Sequence, residues 1–231
     1  MIGKRILRAV VLLVVLGVSS VIGPAQSSPP NQSKPSFWTG QLEVSVLRCN
    51  GVCGYYTVDE TGTVRHAPKD LVSYYSYNVY QNDKGIVRHQ LIFANTGGIN
   101  EQGRGAEIVD YAQGYVLAFD PCVSEAVRAP LVFPMTTSTA LESREILGFR
   151  CNGVRRKWVQ QRNRYHDVKE TWTATEIDFK DPLLEISYGY DANGLGGVEV
   201  RTIRSLKSSP PLEHFLFELP SGMGVLNLDN P

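Results

Sequence analysis

The sequence predicts a mainly β, antiparallel domain, and three observations support that expectation. Apolar and polar residues alternate with period two along many short segments. Clusters of Gly, Pro, Asn and Asp fall between those segments, and apolar spacing with the period of a helix is hard to find. A strand turns successive side chains to opposite faces, so this alternation buries one face and leaves the other polar.

The first element in the chain stands outside that fold. Lys4, Arg5 and Arg8 precede an apolar run from Ala9 to Ile22, and the small residues Gly23 and Ala25 follow. This is the tripartite pattern of a secretory signal peptide, so residues 1–25 are expected to be removed after Ala25 and the protein to be secreted or periplasmic. The run falls short of the ~20 residues of a membrane-spanning helix, and Ser19 and Ser20 interrupt it, so no transmembrane anchor is expected after cleavage. Cleavage leaves 20 basic against 23 acidic residues. That balance excludes a general polyanion binder, and nucleic acid is not an expected partner.

Residues 26–36 are rich in Ser, Pro, Asn and Gln and lack large apolar side chains, which predicts a flexible arm. Residues 37–231 are expected to form a single β-rich domain. A mature chain of this size buries about 70% of its unfolded surface, enough for one core.

The strands follow in order. Leu42, Val44 and Val46 alternate with Gln41, Glu43 and Ser45. Tyr75, Tyr77 and Val79 alternate with Tyr74, Ser76, Asn78 and Tyr80, and Gln81-Asn82-Asp83-Lys84-Gly85 supplies a turn, which predicts a hairpin over 73–94. A second hairpin is expected from 106–111 and 115–119 around Ala112-Gln113-Gly114. Short helical turns are expected near 123–129 or 137–143, limited by Pro130 and Pro134. Strands are expected near 145–159, 166–179, 184–190, 197–206 and 214–219, an antiparallel meander.

Four cysteines in an exported chain predict a disulfide framework. Three pairings are open. Cys49 with Cys53 closes a small ring worth about 2 kcal/mol, and Cys122 with Cys151 a longer loop worth about 3.5 kcal/mol. The recurrence of Arg48-Cys49-Asn50-Gly51-Val52 as Arg150-Cys151-Asn152-Gly153-Val154 leaves a Cys49–Cys151 pairing open as well. The histidines at 66, 89, 166 and 214 are scattered singly, so hydrogen-bonded or surface roles are expected and no metal site or cofactor.

Glu145-Ile146-Leu147-Gly148-Phe149-Arg150 with Gly153-Val154, Glu170-Thr171-Trp172, Pro182-Leu183-Leu184, Val200-Arg201-Thr202-Ile203 and Phe217-Glu218-Leu219-Pro220-Ser221-Gly222 occur in that order. In these residues the carboxyl-terminal part, roughly 144–227, resembles the periplasmic lipoprotein-carrier superfamily of LolA, LolB and LppX type, and more closely secreted bacterial proteins that share this ending. The resemblance implies a curved antiparallel sheet, a half-barrel, with few short helices or loops over its concave face. It also implies an apolar cavity for a lipid or acyl chain, which Trp172, Phe149, Tyr188 and Phe217 would line.

Two further clusters are binding candidates. Arg155, Arg156, Lys157, Arg162 and Arg164, with Arg150, form a basic patch suited to anionic headgroups or cell-wall polymer, or else the solvated edge of a hairpin. The tyrosines at 74, 75, 77 and 80 suit a stacking platform for sugar or peptide, although strands favour tyrosine in any case. No nucleophile elbow, metalloprotease helix or phosphate loop is present. The leading expectation is therefore a non-enzymatic envelope protein that binds an apolar ligand. A structural or protein-interaction module of the cell surface stands second, and a hydrolase with an unrecognised site third.

Overall fold

The computed structural model describes residues 37–51, 56–59, 64–66, 71–131, 137–160, 165–191 and 194–228. Its first eight strands are β1 (Phe37–Gly51), β2 (Tyr56–Val58), β3 (Val64–His66), β4 (Leu71–Gln81), β5 (Ile86–Thr96), β6 (Ile99–Gln102), β7 (Ala106–Asp110) and β8 (Tyr115–Phe119). There follow β9 (Glu125–Pro130), β10 (Thr137–Ile146), β11 (Phe149–Gln160), β12 (Tyr165–Ala174), β13 (Leu184–Asp191), β14 (Gly194–Ser209) and β15 (Gly224–Asn227). All but β2 and β3 join one open sheet in the order β10-β11-β12-β13-β14-β1-β4-β5-β7-β8-β9-β15, with β6 beside β5. The signal peptide and the arm expected over 1–36 lie outside the described residues. Among the described residues no helix is long and apolar enough to cross a membrane.

The sheet is strongly bent, and one ion pair shows which face is concave. Arg201 on β14 and Glu107 on β7 are separated by β1, β4 and β5, about 19 Å along a flat sheet. Their side chains nevertheless approach to 3.8 Å, so they reach across the hollow of a curled sheet. This is the open half-barrel expected of the mainly β chain. The concave cover is a loop over 175–183. Gln81, fully buried, anchors it by donating to the Asp178 carbonyl (2.5 Å) and accepting from the Lys180 amide (2.7 Å). Phe179 then packs edge-on against Trp38 at 6.4 Å.

The convex side is covered over β5 to β9 by the carboxyl-terminal segment. Arg88 donates to the Leu216 carbonyl (2.7 Å), and Leu219 and Met223 pack on Ala106, Ile108, Phe119 and Ala126. In the middle of β13 and β14 both faces are closed, with Leu183 to Ser187 and Val198 to Ile203 buried without a break.

The hairpins expected at 73–94 and 106–119 form as β4–β5 and β7–β8, and β12–β13–β14 is the expected meander. Gly85 and Gly114 turn the two hairpins at φ 75° and 70°. Five segments differ from expectation. Leu147 and Gly148, at φ 55° and 79°, turn a hairpin inside the strand expected over 145–159, and residues 175–179 leave the strand expected over 166–179 for the covering loop. Residues 125–130 and 137–146 are strands, not helical turns. Ala126, Val127 and Ala129 are buried between flanking strands, and the β-branched Thr137 and Thr139 suit a pleated edge. The segment near 214–219 is a 3-10 helix (His214–Phe217) because Pro210, Pro211 and Pro220 supply no ladder donors around it.

The expected Cys122–Cys151 bridge is corrected too, and with it the Cys49–Cys151 alternative. Cys122 and Cys151 carry free thiols. Cys122 sits in the exposed turn between β8 and β9, whereas Cys151 is buried on β11 near the other end of the sheet. Burial pushes the Cys151 thiol up to about 11. Cys53 lies outside the described residues, so a Cys49–Cys53 bridge stays an expectation.

One glycine is fixed by close approach. Trp172 leans across Gly153 to donate from Nε1 to the Glu142 carbonyl (3.1 Å), and the Arg144 guanidinium lies 4.2 Å over its ring. A Cβ at position 153 would stand 2.5 Å from Trp172 Nε1 and 2.8 Å from Leu141 Cβ. Gly153→Ala is therefore expected to destabilise by about 1–3 kcal/mol through overpacking, against the small gain that strand propensity alone would give. Urea unfolding of the two proteins decides the sign.

Candidate functional site

Strand alternation segregates chemistry between the two faces of β11 to β14. Val200 and Val198 on β14, Leu184 and Ile186 on β13 and Trp172 on β12 stand on the convex face. Arg201 and Glu199, Glu185 and Ser187, Lys169 and Thr171, and Arg156 stand opposite them, in cross-strand register on the concave face. All these concave groups are buried. Lys169 Nζ lies 3.1 Å from Glu185 Oε1.

His89 on β5 ties this array to the far side of the hollow. It pairs across strands with Glu107 and faces Asp181 from the covering loop. Its Nε2 lies 2.5 Å from Asp181 Oδ2 and its Nδ1 3.3 Å from Glu107 Oε2, so an imidazolium donates to both carboxylates. Tyr111 donates its hydroxyl to the other Asp181 oxygen. Burial opposes charge on His89, but the Asp181 carboxylate and the two hydrogen bonds outweigh it and raise its pKa to about 9. Burial likewise works against the Glu107 and Asp181 carboxylates, yet His89 and Arg201 hold both below their usual range. Glu199 differs: burial outweighs the nearby Arg201 and pushes its carboxyl up to about 7, and its Oε1 finds no hydrogen-bond partner among the described residues.

A histidine, carboxylates and a hydroxyl are thus assembled, but they are sealed in. The hollow bounded by Leu42, His89, Asp181, Pro182, Glu185 and Arg201 measures about 10 Å³, room for one water at most. Among the described residues this hollow is too small for an acyl chain.

A larger hollow lies on the convex face of the three central strands. It measures about 340 Å³ and is lined by Thr39, Gly40, Gln41, Asn78, Tyr80, Ser205 and Lys207. Register places these side chains in two rows across β14, β1 and β4, namely Lys207, Thr39 and Tyr80, then Ser205, Gln41 and Asn78. Gly40 lies between the rows where the backbones crowd; a Cβ there would meet the Ser205 carbonyl at 2.2 Å.

The residues expected to line an apolar cavity do not converge on the concavity. Trp172 is buried on the convex face, and Phe149 and Tyr188 are half-buried on that same face, with Tyr188 donating to Glu170 at 3.4 Å. Phe217 belongs to the 3-10 helix that caps the other part of the convex side. The basic patch is divided as well. Alternation along β11 turns Arg155 and Lys157 outward, Arg155 pairing with Glu170 at 2.8 Å, while Arg156 points into the concave array with 5% of its surface exposed. Arg162 and Arg164 lie outside the described residues. Of the four strand tyrosines, Tyr75 and Tyr77 are buried on the concave side and Tyr74 and Tyr80 are half-buried on the convex side.

The concave array escapes notice in the sequence because a charged alternate face reads as solvent-facing. The available signal was its repetition on three successive strands, as Lys169-Thr171, Glu185-Ser187 and Glu199-Arg201.

No protein-family model matches the sequence, and no curated protein matches it. Among solved structures the chain is similar to an uncharacterised conserved protein from Thermus thermophilus, at 10% identity and a TM-score of 0.41, over 84% of this chain and 91% of that one. It is similar to a LolA superfamily protein from Nitrosomonas europaea, at 13% identity and a TM-score of 0.39, over 80% and 91% of the two chains. It is also similar to the Mycobacterium tuberculosis lipoprotein LppX, at 11% identity and a TM-score of 0.34, over 75% and 88%.

Proposed function

We propose that this chain is an exported, non-enzymatic envelope protein that binds its ligand on the outside of the half-barrel. The observation behind this reading is the contrast between the two hollows. The concave one is filled by an ionic array around about 10 Å³, and the convex one offers about 340 Å³ lined by polar side chains. Among the described residues the His89, Asp181 and Tyr111 set is enclosed, and it holds the covering loop to the sheet.

An apolar ligand is the second reading. It is favoured by the apolar residues on the convex face of β12 to β14, Trp172, Leu184, Ile186, Val198 and Val200, with Phe149 and Tyr188 half-buried on that face.

One experiment separates the two. The purified protein is extracted with organic solvent, titrated with a fluorescent fatty acid, and sedimented with isolated envelope fragments. Retention on the envelope without bound lipid or fatty-acid uptake is expected. Saturable fatty-acid uptake, displaced by unlabelled acid and lost in Tyr188→Glu, would overturn the surface reading and establish the apolar one. Failure to bind envelope material at all would remove the surface reading.

A further inference from the structure

The polar groove over Thr39, Gly40 and Gln41 deepens the surface reading, on which the following inference rests. Among the described residues, the side chains of Thr39, Gln41, Asn78, Tyr80, Ser205 and Lys207 make no hydrogen bond or ion pair with the rest of the protein, although all six share one hollow. Their neighbours are committed. Arg88 and Gln90, next to Tyr80 and Asn78 across β5, bond each other at 2.5 Å, and Arg88 is also tied to Leu216. Arg204, at the bulge below the groove, is paired with Glu43 at 2.5 Å.

The inventory of the six narrows the ligand. Three hydroxyls and two carboxamides each donate and accept, which suits a partner carrying many hydroxyl groups. Tyr80 adds an aromatic side chain that a sugar ring can stack on. Lys207 is the one charged residue lining the groove, and no acid lines it. The two rows are about 7 Å apart along the strands and span about 10 Å across three of them, the extent of one or two sugar rings.

Other ligand classes fit less well. The groove lies over β14, β1 and β4, which are paired on both sides, so a peptide finds no open strand edge to extend and no apolar pocket for its side chains. A lipid tail finds little apolar lining, the Tyr80 ring standing among five polar side chains.

We infer that this groove binds a short saccharide bearing one negative charge, with Lys207 meeting the anion, Gln41 and Asn78 bridging ring hydroxyls, and Tyr80 stacking on a ring face.

Calorimetric titration of the purified protein tests this with a uronic-acid disaccharide, a sugar phosphate, and the neutral disaccharide of the same linkage. Saturable binding to one site is expected for at least one acidic sugar, and the two acidic probes tell a carboxylate from a phosphate. Lys207→Gln is expected to weaken the acidic ligand at least about tenfold, the worth of one charged hydrogen bond, and to leave the neutral sugar unchanged. The double variant Gln41→Ala, Asn78→Ala is expected to abolish binding of both without moving the thermal midpoint, since these groups hold nothing else in place.

The assignment is overturned if none of the three sugars binds at millimolar concentration, if binding survives the double variant, or if Lys207→Gln weakens acidic and neutral sugars alike. Envelope sedimentation in parallel separates the two levels. Retention on the envelope without sugar binding sinks the saccharide and leaves surface recognition standing, whereas loss of both sinks the reading beneath it.

Discussion

Replacing His89 with alanine is expected to lower the free energy of unfolding by about 3–5 kcal/mol, the cost of removing one member of a buried ionic cluster. The imidazole has 1% of its surface exposed and both its nitrogens face carboxylates. Without it, Asp181 and Glu107 stay buried with Arg201 as the remaining cation near both. Asp181 also fixes the loop over the concave face, so the loss should spread to its other anchor, the hydrogen bonds of Gln81 to Asp178 and Lys180. Urea unfolding at pH 6 measures the effect, and proteolysis near 175–183 reports the loop. A loss below about 1 kcal/mol, as at an exposed pair, would contradict this account of the array.

Stability is expected to peak on the acid side of neutrality, and the sign follows from each shifted group. His89 has its folded pKa raised from 6.5 to about 9. Its contribution is therefore complete below pH 6.5 and lost as pH rises through 9. Glu199 has its folded pKa raised from 4.5 to about 7, so the folded state holds a proton that the unfolded state releases, and stability falls between pH 4.5 and 7. Asp181 and Glu107 are shifted down; their contribution is present above the ordinary carboxylate range and lost as pH falls through their folded values. The sum is a maximum at about pH 4.5–5, followed by a decline in which each of the two raised groups removes about 3 kcal/mol by pH 9. Glu199→Gln should flatten the first part of the decline and make the variant about 2 kcal/mol more stable than the parent at pH 8. Unfolding midpoints across pH 4–9 test both statements, and a parent optimum at pH 8 or above would refute them.

Local pairing was legible in the sequence wherever period two and a glycine turn coincided, as at Gly85 and Gly114. It was not legible where small, weakly biased residues carry a strand. Ser138, Ala140 and Ser143 suit a helix turn as well as an edge strand, and only the pairing of β10 with β11 decides between them. Long-range pairing left no local trace, since nothing in Leu42 or Val44 names β14 as a neighbour. The site was read inside out for the same reason. Alternation assigns residues to two faces but does not say which is concave, so the family resemblance points Trp172, Phe149 and Tyr188 into a hollow that Lys169, Glu185 and Arg201 occupy. The groove was visible only in part, through Tyr80 among the strand tyrosines. Its other members come together across three strands, of which β14 joins from the far end of the chain.

The central position of β1 governs how the chain reaches this shape. One of its two partners lies more than 150 residues away, with Val44 set opposite Arg201. A polypeptide emerging amino end first must therefore wait, one flank of its middle strand bare, until nearly all of it has been delivered. Such topologies fold slowly, and chains cut short before residue 194 would display a sticky strand edge with nothing of their own to seal it.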